Sequence, residues 1–75
     1  MELNRFVNCF ASQFDETDPS EIGPETIYKD LDEWSSIVAF SVIAMVKTEF
    51  GKTVTGTELR HCITVEELFN TIAAK

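Results

Sequence analysis

The stretch Asp30-Leu31-Asp32-Glu33-Trp34-Ser35-Ser36-Ile37-Val38 joins an acidic, breaker-rich segment to the most apolar run of the chain, Ile37-Val38-Ala39-Phe40-Ser41-Val42-Ile43-Ala44-Met45-Val46. Carboxylates before, hydrocarbon after and two hydroxyls between make a helix start, because Ser at an N-cap accepts from the unpaired N–H groups of the first turn. A helix is expected from about Ser36 to Phe50, closed by Gly51, a residue suited to the left-handed backbone that ends many helices. Its apolar residues nearly encircle it, which predicts a central helix touched from several sides. Ser35 and Ser36 carry two readings. They are helix caps, or one of them also bears an anion, since first-turn N–H groups and the helix dipole favour a phosphate there.

Toward the N-terminus, Leu3, Phe6, Val7, Phe10, Ala11 and Phe14 recur at helical spacing and predict an amphipathic helix over roughly residues 2–15. Phe6, Phe10 and Phe14 then read as core and not as an aromatic binding stripe. Residues 15–33 read as a loop broken at Asp18-Pro19-Ser20 and Ile22-Gly23-Pro24. So long a loop needs either a function or an anchor, and Ile22, Ile27, Tyr28 and Leu31 are available as anchors. Asp15-Glu16-Thr17-Asp18-Pro19-Ser20 lacks the alternating ligands and central glycine of a calcium loop.

Toward the C-terminus, Thr57-Glu58-Leu59-Arg60-His61 is expected to make one or two helical turns. Thr64 and Glu67 form the Thr-x-x-Glu capping box of a last helix, with Ile63 and Leu68 placed as its hydrophobic staple. Val65, Leu68, Phe69, Ile72 and Ala73 make its inner face. No run alternates like a strand and no segment repeats. The expected fold is all-α: a small up-and-down bundle of three main helices and one short one, with a long first loop.

The 75 residues make one domain and carry a net charge of −7. Such a charge disfavours nucleic acid and anionic membranes and favours basic partners. Eight of the thirteen carboxylates lie between Asp15 and Glu33 (Asp15, Glu16, Asp18, Glu21, Glu25, Asp30, Asp32, Glu33). They are a solvated loop or a docking surface. Cys9 and Cys62 have no second pair for a metal site. With no basic n-region and apolar h-region at the start, a reduced, cytoplasmic monomer is expected, its cysteines serving as small apolar fillers. No serine has a recognisable base, no phosphate-binding glycine loop occurs, and the lone His61 has no partner set. The expectation is that the chain is not an enzyme.

Three motifs, Tyr28-Lys29-Asp30-Leu31-Asp32-Glu33-Trp34-Ser35-Ser36-Ile37, Val46-Lys47-Thr48-Glu49-Phe50-Gly51 and Ile63-Thr64-Val65-Glu66-Glu67-Leu68, occur in the order and spacing of an acyl carrier protein. The chain resembles that family over its whole length, in size and in acidity. The resemblance implies a four-helix bundle whose 4′-phosphopantetheine is attached to the serine that opens helix two, here Ser36, with Ser35 and Ile37 flanking it. It implies that a phosphopantetheinyl transferase modifies the chain. Acyl- or aminoacyl-loading and transferring enzymes would then use it in fatty acid, polyketide or related biosynthesis. Partner-facing residues would be Asp30, Asp32, Glu33, Trp34, Val38, Phe40 and Ser41. The sequence departs from the family pattern in three places. Ser35 stands where the motif has Asp, Ile37 where it has Leu, and Glu49 is the only carboxylate between Ile37 and Phe50. The alternative is an unmodified carrier-fold protein acting as a protein–protein interaction module.

Overall fold

The apolar periodicity of the N-terminal segment builds α1, Leu3–Ala11, in a computed structural model that describes residues 2–75. It is followed by α2 (Ser36–Phe50), α3 (Gly56–His61) and α4 (Val65–Ala73). The first helix stops short of the expected residue 15 for a local reason. The Ser12 hydroxyl and the Gln13 side-chain amide both donate to the Cys9 carbonyl, at 2.7 and 3.0 Å. That carbonyl is the acceptor that Gln13 N–H would need to continue the helix. Gln13 N–H turns instead to Phe10 O, and Phe14 N–H to Ala11 O, in a tighter turn. The tightening keeps Phe14 on the apolar face, 6% exposed.

The long loop contains two short 3₁₀ turns, Pro19–Glu21 and Tyr28–Asp30. Of the expected anchors, Ile22 and Tyr28 are buried, Leu31 is half-buried, and Ile27 stays exposed. Ile27 is held through its backbone instead, by an isolated antiparallel bridge to Thr64. Next to that bridge the loop serves α4 directly. Thr26 O accepts from Val65 N–H and Pro24 O from Glu66 N–H, at 3.1 and 2.9 Å, which satisfies two first-turn donors that a helix cannot satisfy itself.

The helices pack as a small all-α bundle, α1 against α2 and α4, with α3 against α2 and α4. Phe6 and Phe10, fully buried, lie at its centre. Each contributes on the order of 2–3 kcal/mol by leaving water. Phe6 meets Phe50 and Phe69 at ring-centroid distances of 5.8 and 5.7 Å, tying α1 to α2 and α4. Cys62 is buried, Cys9 half-buried, and both are free thiols. Among the described residues no helix is long and apolar enough to cross a membrane.

Candidate functional site

Trp34 decides where the two serines stand. Its ring meets Tyr28 edge-on at 4.8 Å and stacks near Phe10 and Phe14 at 6.4 and 6.3 Å, so the end of the loop is fastened to the core. The next residue, Ser35, is extended (φ −156°, ψ 173°) and forms the N-cap of α2. Its carbonyl accepts from Ala39 N–H at 2.9 Å, and its hydroxyl accepts from Val38 N–H at 3.4 Å, the long end of the range. Ser36 is the first helical residue and is exposed. The N–H groups of its turn have no acceptor within the helix.

Ser36 lines a groove of about 260 Å³ between α2 and α3. Trp34, Ser35 and Ala39 line it with Ser36, Gly56, Leu59 and Arg60 come from α3, and Lys29 comes from the loop. An exposed hydroxyl, the first-turn N–H groups of Ser36 and Ile37, and two cations in the lining fit a phosphodiester on Ser36. The thiol-bearing remainder of a pantetheine arm would have the apolar Trp34, Ala39 and Leu59 beside it.

The other sequence-derived residues separate into two groups. Asp30, Asp32, Ile37 and Phe40 are exposed, Ile37 by 78% and Phe40 by 71%, and Ser41 is half-buried. The rest are occupied. Val38 is 7% exposed and belongs to the core, which corrects its placement among partner-facing residues. Trp34 is half-buried against three aromatics. The Glu33 carboxylate spans the loop, accepting from the backbone N–H of Asp15, Glu16 and Thr17 at 2.7–3.0 Å and from the Thr17 hydroxyl at 2.8 Å. Partial desolvation pushes its carboxyl up, but those hydrogen bonds, led by the Thr17 hydroxyl, outweigh it and hold Glu33 below the usual carboxylate value. Glu33 is therefore a staple of the loop more than a charge offered to a partner.

Lys29 and Arg60 were not legible as site residues. They lie 31 positions apart and meet only in the folded chain, where Lys29 Nζ donates to Arg60 O. Among the described residues no group of acidic, cysteine or histidine side chains is placed to hold a metal ion. No family model, curated protein or solved structure matches this chain.

Proposed function

We propose that the chain is a carrier protein that bears 4′-phosphopantetheine on Ser36 and hands acyl or aminoacyl groups between partner enzymes. The observation that carries this reading is the exposed Ser36 hydroxyl on the first residue of a 15-residue helix, held there by the buried side of Trp34 and the Ser35 cap. The sequence resemblance to acyl carrier proteins supplies the chemistry, and an all-α bundle of this size accords with it. When bound, 4′-phosphopantetheine supplies a terminal thiol that carries the acyl group as a thioester. The chain's own task is positional. Trp34 fixes the seam, Ser35 caps the helix without covering Ser36, and the first turn of α2 presents N–H donors where the phosphodiester would lie. Partners would read the exposed acidic loop end, Asp30 and Asp32, together with the bare apolar turn of Ile37 and Phe40.

The test is intact-mass spectrometry after incubation with coenzyme A and a broad-specificity phosphopantetheinyl transferase. The expected result is one phosphopantetheine adduct that Ser36→Ala abolishes. An adduct lost in Ser35→Ala but kept in Ser36→Ala would move the site by one residue. A chain left unmodified by every transferase would favour the alternative, a carrier-fold interaction module, for which the exposed Ile37 and Phe40 already offer a surface.

A further inference from the structure

The chain's six basic residues are Arg5, Lys29, Lys47, Lys52, Arg60 and Lys75, against thirteen carboxylates. Two of the six line the groove that contains Ser36. Among the described residues the only ion pairs are Arg5 with Glu49 and Lys75 with Glu58, so neither Lys29 nor Arg60 is neutralised. Their nearness is fixed by the fold. Lys29 Nζ is tied to the Arg60 carbonyl, while the Arg60 guanidinium donates to Thr57 Oγ1 at 3.2 Å. In a chain with carboxylates in twofold excess, the lining of this groove contains two cations and no carboxylate, so its charge favours an anion.

We infer that Lys29 and Arg60 are positioning residues that hold a phosphate group in the groove between α2 and α3, namely the phosphodiester of an arm on Ser36. The inference rests on the carrier reading for the identity of the anion, and on the two cations for its place. Both side chains are exposed, so each contact is of the weak, solvent-screened kind and falls with added salt. Arg60 offers a planar fork of donors and Lys29 a point charge, a pair able to take two oxygens of one phosphate. No bond to Ser36 is made or broken by either residue. Their effect is to restrict where the arm leaves the protein, and so which face of the bundle a loading enzyme must approach.

Trp34 is the only tryptophan and lines the same groove, so its fluorescence reports occupancy. The experiment titrates the unmodified chain with free 4′-phosphopantetheine and, in a parallel arm, with inorganic phosphate. The expected result is a saturable change in Trp34 emission with both probes. Lys29→Gln combined with Arg60→Gln should weaken it about fivefold, the loss of two exposed charge contacts. Lys47→Gln combined with Lys52→Gln, which removes equal charge away from the groove, should leave it unchanged. Circular dichroism of each variant checks that the bundle is intact. An unsaturable response, or equal weakening by both double variants, overturns the inference. The carrier reading is scored separately by mass. A chain that binds the probes through Lys29 and Arg60 yet never gains an arm retains the anion site and loses the carrier reading. A chain modified on Ser36 whose probe affinity ignores Lys29 and Arg60 retains the carrier reading and loses the cradle.

Discussion

Tyr28 shows at the residue scale how a loop becomes part of a core. Its ring is fully buried, and its hydroxyl bridges the carbonyls of Leu59 and Cys62, one at each side of the α3 C-terminus. Desolvation pushes the phenol well above its ordinary value, with the Cys62 thiol and Glu67 adding to it, so the group stays a donor at any working pH. Tyr28→Phe keeps the ring contacts and removes the one proton that the two carbonyls share; it should cost about 1–3 kcal/mol in urea unfolding with an unchanged m-value. A loss much below that range would mean that water replaces the hydroxyl. Glu33 makes the matching argument with a charge. Its carboxyl is held below its ordinary 4.5, so the stability it contributes is complete above that value and is lost as pH falls through the lower, folded value. The stability gap between wild type and Glu33→Gln should therefore be constant near neutrality and shrink in acid. A gap that widened in acid would contradict the hydrogen-bonded carboxylate. None of this was legible beforehand: Tyr28 was available as an anchor by its hydrophobicity, but its two acceptors lie 31 and 34 residues away. Glu33 reads from the sequence as a partner-facing charge of the loop end, because the groups that occupy it are mostly backbone N–H groups, which every residue has.

At the scale of elements the local signals carried further. The start of α2 at Ser36, its end at Phe50 and the left-handed Gly51 (φ 66°) follow from cap chemistry and the lone glycine, and the Thr64–Glu67 capping box forms as written. The same signal occurs one helix earlier. Thr55-Gly56-Thr57-Glu58 is also a Thr-x-x-Glu box, and it starts α3 at Gly56 instead of Thr57. Periodicity overran α1 because the competing side-chain donors at Ser12 and Gln13 do not disturb the apolar pattern, and Phe14 keeps its place on it. Periodicity also failed to separate Val38 from Phe40, since a helix apolar all round has no marked outer face. Only packing makes one core and the other 71% exposed. The cap of α2 leads to a prediction at this scale. The Ser35 hydroxyl reaches Val38 N–H only at 3.4 Å, and the carrier motif has Asp at this position. Ser35→Asp should cap at least as well, changing stability by no more than about 1 kcal/mol, and its charge should raise the rate of Ser36 modification. Equal initial rates by mass spectrometry would show that the transferase does not use that carboxylate.

The whole molecule distributes its charge unevenly, and that decides how a partner should arrive. Of the carboxylates near Ser36, Glu33 is spent on the loop, which leaves Asp30 and Asp32 exposed at its end. Along α2 the single carboxylate, Glu49, is paired with Arg5, whose guanidinium also lies over the Phe50 ring at 4.8 Å. The pair is half-exposed on both sides, so its field beyond contact is that of a dipole and not of a charge. The outer face of α2 therefore begins with Ile37 and Phe40 and ends at Lys47, with little negative potential of its own. On the proposed carrier reading, steering would fall to Asp30 and Asp32 and holding to Ile37 and Phe40. Long-range attraction sets the association rate and its salt dependence, while desolvated apolar contacts set dissociation. In stopped-flow binding to a transferase that modifies the chain, Asp30→Lys with Asp32→Lys should slow association several-fold, roughly three- to tenfold at low salt, and flatten its salt dependence. Phe40→Ala should leave association nearly unchanged and speed dissociation by about tenfold, the loss of one well-buried interfacial aromatic being worth at least 1.4 kcal/mol. Glu49→Lys leaves two cations where a neutral pair stood, but it does so at the opposite end of α2 from Asp30 and Asp32, so it should slow association less than the double change. If Glu49→Lys slows association more than the double change at Asp30 and Asp32, partners read the far end of α2 and the acidic loop end serves only solubility.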